Sequence, residues 1–368
     1  MDEVRIMDIK AAVTHKQGDE FTIEQVHLAE PEFDEIRVRI VAVGVCHTDV
    51  VAQQQGIAPY PIVLGHEGSG IVEAIGDGVT EIEVGDHVVL SFAHCGHCNH
   101  CLMGHPSVCK TFNELNFGGA MDDGSHRLSQ NGEALGTFFG QSSFATYAIA
   151  KAKNAVKVDK EVDLVLLGPL GCGIQTGSGT VLNRLKPAFG SSIVIYGAGA
   201  VGLSAVMAAK ITGCLYIIAV DIHDNRLELA KALGATHIFN SKNVDVVTEI
   251  KKLTSDGSHY AVETTGVPNV VKQSLAALKP LGTLAIVGVT PEVTFNIQDE
   301  LMAEGKSIIG VVEGDSVPKV FIPQLIAYYK AGQFPFDKLT KCYDFEQITQ
   351  AFADSAKGIT IKPILKMP

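Results

Sequence analysis

Residues 192–221 constrain the fold of this chain more than any other stretch. A short β-branched run, 193–196, meets Gly197, Gly199 and Gly202 in the spacing G-x-G-x-x-G. An Ala-rich segment of helical length follows, and a second apolar run, 215–220, ends on Asp221. Strand, tight turn, helix, strand and acid is the order of a dinucleotide-binding unit. Each glycine then has its own reason: Gly197 permits the turn, Gly199 lets a pyrophosphate approach the backbone, and Gly202 lets helix pack closely on strand. Ala200 and Val201 open the helix, whose unpaired amides would hold phosphate. A carboxylate at Asp221 accepts hydrogen bonds from a ribose 2'-hydroxyl and repels a 2'-phosphate, so NAD is expected over NADP. An ordinary Gly-rich turn in an α/β core is the competing reading, and the coincidence of strand, spacing and acid disfavours it.

The chain changes character on either side of this unit. Residues 1 to about 170 are β-rich and dense in glycine, with strands expected at 37–43, 70–75 and 87–90. After about 173, strands alternate with helices: helices at 225–233, 244–253 and 270–278, strands at 260–263 and 283–289. That alternation predicts a parallel sheet covered on both faces. The tail, with helices at 317–330 and 345–356 and a strand at 359–365, should return to the first domain. The fold class is therefore α/β: a β-rich domain from residues 1–173 and 313–368 around a doubly wound domain at 174–312. A chain of 368 residues, 46% hydrophobic, can bury two such cores. Its net charge of -12 offers no basic stripe for nucleic acid. The N-terminus is acidic where a secretory leader needs base, and the longest apolar run is broken by Lys210, so no membrane partner and a cytoplasmic location are expected. Eight cysteines in that compartment should be thiols or metal ligands.

Cys95, Cys98, Cys101 and Cys109 stand as C-x2-C-x2-C-x7-C. Four thiolates complete a zinc tetrahedron and leave no position for a substrate, which marks a structural site. An iron-sulfur cluster would have its fourth cysteine sooner and before a proline, whereas Cys109 precedes Lys110. His94, His97, His100 and His105 offer a mixed site as a further alternative. A second set is scattered: Cys46-His47-Thr48-Asp49, His66-Glu67 and Cys172. Alone, a buried Cys is usually a small hydrophobe and a lone His a satisfied polar group. Together, two thiolates and an imidazole leave a zinc ion one open position, as catalysis requires.

These fragments, in this order, resemble the zinc-dependent medium-chain alcohol dehydrogenases. The wording Pro61-Ile-Val-Leu-Gly-His-Glu-Gly-Ser-Gly, Asn116-Phe-Gly-Gly and Asp123-Gly-Ser is closest to the aryl (benzyl) branch. The resemblance implies a GroES-like catalytic domain around a Rossmann domain. It implies two zinc ions per subunit, hydride transfer from an aromatic primary alcohol to NAD to give the aldehyde, and a homodimer or homotetramer. Cys46, His66 and Cys172 would bind the catalytic zinc, with Glu67 close behind. Asp49 would hold His66 through its other ring nitrogen, and Thr48 would pass the alcohol proton. His47 would touch the pyrophosphate or serve as a base, since the histidine that often ends the relay is Val51 here. Arg226 would reach the adenosine ribose, Lys362 the pyrophosphate, and the backbone of Val287 and Val289 the carboxamide. Phe92, Phe117, Phe138 and Phe139 could line an apolar slot, although single Phe residues are more often core. Cys214 and Cys342 have no ligand partners and read as plain thiols. Alternatives are a broad primary alcohol dehydrogenase and a glutathione-dependent formaldehyde dehydrogenase. The latter would want cations where the chain offers Asn113-Glu114-Leu115. A non-catalytic NAD-binding redox sensor would not need the second zinc set.

Overall fold

The computed structural model describes residues 6–368. The alternation first seen at 37–43 becomes the strand Glu35–Gly44, in which Ile36, Val38, Ile40 and Ala42 are buried and Arg37 and Arg39 lean outward. Period-two burial lets one strand serve a core on one face and polar neighbours on the other. Gly68–Ile75 and Tyr147–Lys151 both pair antiparallel with it. Among the described residues this sheet is seven-stranded, with His87–Leu90 and Ala155–Lys157 beyond Gly68–Ile75, and Lys362–Lys366 and Thr340–Asp344 on the other side. The tail strand joins through Ile364 opposite Gly44, which brings Lys362 next to the turn that carries Cys46. A closed barrel of Met7–Thr14, Thr22–Leu28, Leu128–Gln130, Glu133–Thr137 and Ile62–Val63 packs in the same unit, around a core that includes Val13, Val26, Leu64 and Phe144.

By contact, this unit comprises residues up to Cys172 with Val317–Gln324 and Asp337–Pro368; Gly173–Ser316 with Leu325–Phe336 form a second. The second unit holds a parallel sheet, six-stranded among the described residues. Its order is His237–Asn240, Tyr216–Asp221, Ser192–Tyr196, Ser258–Glu263, Leu278–Ile286, Ser307–Gly310. The order reverses beside Ser192–Tyr196, the switch point at which such sheets bind ligands. Several expected boundaries shift: the tail strand placed at 359–365 is Lys362–Lys366, and residues 313–316 and 325–336, expected with the first domain, group with the second unit. The helix placed at 270–278 is Pro268–Ala276, and the strand placed at 283–289 ends at Ile286. Leu278 opens the strand, and its pairing resumes at Thr283 after a turn in which Leu281 takes a positive φ of 64°. Beyond Ile286 the backbone leaves the sheet, because Gly288 crosses so close to Gly266 that a Cβ on it would lie 2.4 Å from the Gly266 nitrogen. No helix of the described residues is long and apolar enough to cross a membrane.

Candidate active site and metal centres

Asp49 organises the first site. It is fully buried at the third position of the helix His47–Gln55. Its Oδ2 accepts the Cys46 amide at 3.0 Å. Its Oδ1 accepts the Gly65 amide at 3.1 Å and pairs with His66 Nδ1 at 2.9 Å. One carboxylate thus joins two motifs that lie far apart in sequence. With Nδ1 donating, the Nε2 lone pair is free to ligate, and that nitrogen is buried without a hydrogen-bond partner. Such an orphaned nitrogen is costly unless something coordinates it.

Ligand atoms of Cys46, His66, Glu67 and Cys172 lie within 4.8 Å of one another. Soft sulfur with imidazole nitrogen is the donor set of zinc, so the residues fit that ion. A hydrogen bond with Cys172 lowers the Cys46 thiol well below the ordinary thiol value, against its burial. The motif glycines have steric reasons: a Cβ on Gly44 would lie 1.9 Å from Glu67 Oε2, and one on Gly171 would lie 2.1 Å from Leu90 O. Thr48 Oγ1 is 3.7 Å from Cys46 Sγ, His47 is exposed on the same turn, and Val51 is half-buried.

Three features of this site were not legible in the sequence. Lys362 lies buried with its ammonium 2.8 and 3.0 Å from the Glu67 carboxylate oxygens and 3.1 Å from Val45 O. Its cation therefore sits on Glu67, the neighbour of His66, and not on the surface. Burial raises the Glu67 pKa, and Lys362 partly offsets the rise. Second, Phe139 stacks on the His66 ring with centroids 4.4 Å apart at 29°, while Phe138 meets it edge-on at 5.5 Å and 80°. Phe117 packs edge-on against both. Third, the buried Gln141 donates to His66 O at 3.0 Å and accepts the Gly68 amide at 3.2 Å, pinning the segment between them. Phe92 is buried and packs on Phe112 and His94. An isolated Lys in an apolar terminal strand was the available sign of the first feature; the phenylalanines of the second were expected near a slot but not on the His66 ring, and Gln141 left no sign.

The four-cysteine lobe forms as its spacing predicts. Sγ separations are 3.6 Å for Cys98–Cys101 and 4.0 Å for both Cys95–Cys101 and Cys98–Cys109. A tetrahedron with ~2.3 Å zinc-sulfur bonds has edges of about 3.8 Å, so the set fits zinc and is far too open for disulfides. Amides of Cys98, Cys95 and Lys110 point at Cys95, Cys109 and Cys98 sulfur at 3.3, 3.3 and 3.5 Å, which favours thiolate. The Lys110 and Cys101 amides pull the Cys98 thiol down to about 6. Cys214 is buried and Cys342 exposed, both outside the two clusters.

In the second unit, Gly197 has φ 92° and a Cβ on Gly202 would lie 1.7 Å from Gly197 O, so turn and packing each demand glycine. A Cβ on Gly199 would meet nothing within 4 Å. That open space lies before the helix Ala200–Ile211, whose first turn no side chain caps, and together they fit a pyrophosphate. Asp221 Oδ2 accepts the Ala198 amide at 2.7 Å, and its Oδ1 accepts the Ile222 and His223 amides. Arg226 is half-buried, and its Nε has no partner. Amides of Val287 and Gly288 are both donated to Glu263 O, so Val287 would meet a carboxamide through its carbonyl.

Comparison with known proteins shows the family. The zinc-binding dehydrogenase family matches residues 200–327, and the alcohol dehydrogenase GroES-like domain matches residues 32–160. Geraniol dehydrogenase of Castellaniella defragrans is 43% identical over 99% of each chain. The crystal structure of benzyl alcohol dehydrogenase from Acinetobacter calcoaceticus is similar with a TM-score of 0.95 at 51% identity, covering 98% of this chain and 100% of that one. An alcohol dehydrogenase zinc-binding domain protein from Burkholderia ambifaria gives 0.97 at 52% identity, over 99% and 100%.

Proposed function

Because the chain belongs to the zinc-dependent medium-chain alcohol dehydrogenases, we propose that it oxidises aromatic primary alcohols of the benzyl type to aldehydes, with NAD as electron acceptor. Cys46, His66 and Cys172 would hold the catalytic zinc, and Cys95, Cys98, Cys101 and Cys109 a structural one. When bound at the first site, zinc supplies a Lewis acid that makes an alcohol hydroxyl more acidic. Asp49 orients the His66 ring and keeps its Nε2 lone pair toward the thiolates. Thr48, beside Cys46, takes the hydroxyl proton at Oγ1, and the exposed His47 on the same turn passes it to solvent or meets the cofactor pyrophosphate. Asp221 and Arg226 would bind the adenosine ribose, and the carbonyls of Val287 and Val289 the carboxamide.

The observation that carries the aromatic reading is the 51% identity, over nearly the whole chain, to a benzyl alcohol dehydrogenase. Phe138 and Phe139, buried against the ring of His66, add an apolar and aromatic wall behind that ring. The geraniol relative supports a second reading, in which the substrate is an allylic primary alcohol. Initial rates with benzyl alcohol, cinnamyl alcohol, geraniol, a saturated primary alcohol and a polyol separate the two. We expect benzyl and cinnamyl alcohol to give the highest kcat/KM. A clear lead for geraniol selects the second reading, and equal rates with the saturated alcohol would overturn both.

A further inference from the structure

Glu313, Gly314 and Asp315 take positive φ in succession, at 48°, 64° and 48°. Two of the three are not glycine, so this left-handed turn is unfavourable and persists only where its surroundings over-determine it, which is typical of ligand clamps. The clamp is the helix Gly173–Gly179 of the same unit. A Cβ on Gly314 would lie 2.3 Å from Gln175 O, and Asn183 Nδ2 donates to Gly314 O at 3.1 Å. The Glu313 carboxylate, 8% exposed, accepts from Thr176 Oγ1 at 3.3 Å and from Gln175 Nε2 at 3.5 Å. That helix in turn presses on the helix after the glycine turn, since a Cβ on Gly177 would lie 1.9 Å from Val201 O. Glu313 is therefore packed, through one helix, against the start of the helix that faces the open space at Gly199.

Strand order says which half of a dinucleotide lies on that side. Asp221 ends the strand on one flank of Ser192–Tyr196, and the adenosine belongs with it. The nicotinamide half must cross to the other flank, over the ends of Ser258–Glu263, Leu278–Ile286 and Ser307–Gly310. Glu313 follows shortly after Gly310. The oxidised nicotinamide ring carries a positive charge that the reduced ring lacks, and the two cofactors are otherwise alike in shape and phosphates. A little-exposed carboxylate whose anion is stabilised by two donors acts on that one difference with weak solvent screening.

We propose that Glu313 sets the redox preference of the cofactor site, strengthening the binding of NAD+ relative to NADH. This rests on the NAD reading above. The test measures dissociation constants of both cofactors by calorimetry, with NADH fluorescence as a check, for the wild type, Glu313→Gln and Glu313→Asp. Removing a charge that acts on the oxidised ring alone should raise the NAD+ constant about tenfold and leave that of NADH within about twofold. Glu313→Asp keeps the charge and should hold the ratio within about threefold of wild type. Equal shifts for both cofactors in Glu313→Gln mean a merely structural turn and overturn the proposal, as does an unchanged ratio. Should Glu313→Gln not fold, Glu313→Asp decides: a ratio shifted tenfold overturns the proposal, and a retained one supports it. A wild type that binds neither cofactor sinks the NAD reading itself, which is a distinguishable failure.

Discussion

Replacing Asp49 by Asn tests whether one buried carboxylate builds the catalytic zinc site. Asp49 accepts three N–H groups, from Cys46, Gly65 and His66, at 3.0, 3.1 and 2.9 Å. Asparagine has the same outline but one acceptor oxygen, so a buried N–H must face its NH2 group whichever way the amide turns. With the oxygen kept on Gly65 and His66, the Cys46 amide loses its partner, at about 1–3 kcal/mol for an unsatisfied buried donor. The two remaining bonds lose their charge assistance, roughly another 1 kcal/mol. Urea unfolding of zinc-loaded protein should therefore show a loss of about 2–4 kcal/mol. The loss should also appear in metal binding if Cys46 and His66, which Asp49 joins, are ligands as proposed. Removing such an orienting partner typically weakens a site about 10–100-fold. Dialysis against graded chelator with elemental analysis should find one zinc released at lower chelator activity and the lobe zinc unmoved. A variant that loses stability but keeps full zinc affinity would refute the orienting role. One that loses neither would refute the whole account of the site.

Lys362→Met should cost about 3–5 kcal/mol in urea unfolding, since it strands the buried Glu67 carboxylate, and adding Glu67→Gln should recover much of it; a single-variant loss under about 1 kcal/mol would contradict the pairing. Asp221→Ser should relax selectivity toward NADP by removing the carboxylate that repels a 2'-phosphate, and an unchanged ratio of kcat/KM for the two cofactors would remove Asp221 from that role. Cys98→Ser should leave one zinc fewer per chain by elemental analysis and lower the melting temperature, whereas full zinc content would mean a lobe histidine substitutes. His259 provides a pH signature. Burial and then Lys279 depress its pKa, and its neutral Nδ1 accepts the Ser192 amide at 3.1 Å. The unfolded chain therefore binds the proton first, so this contribution is present above about pH 6.5 and is lost as pH falls through the lower folded value. Wild type should lose more stability than His259→Asn between pH 7.5 and 5.5, by under about 1 kcal/mol because the ring is largely exposed. Parallel slopes would exclude it.

The parts of the molecule that could be read from sequence are those in which chemistry forces a spacing. Four thiols can surround one ion only if the intervening chain is short and turned, so the lobe was legible as a unit. The glycine turn was legible because each glycine answers a local demand: a positive φ at Gly197, open space at Gly199, contact with Gly197 O at Gly202. Cys46, His66 and Cys172 lie on three separate segments, and their grouping rested on family resemblance. The structure supplies the local reasons, as when Gly44 and Gly171 leave no room for a side chain beside Glu67 and Leu90.

What stayed hidden depends on contacts that sequence separation does not encode. Lys362 and Glu67 are 295 residues apart and meet only because the last strand pairs with the strand that leads into Cys46. The stack of Phe139 on His66 needs a non-glycine residue at φ 53°, a conformation that no residue type announces. A carboxylate next to a metal site would ordinarily be expected to bind the metal. Here a buried ammonium already neutralises Glu67, so a move by Glu67 toward the thiolates would have to break two hydrogen bonds to Lys362. On the proposed reading, the ion pair would bias the four-donor cluster toward a three-ligand site with one position left for substrate, and the tail strand, through Lys362, would help make that site catalytic.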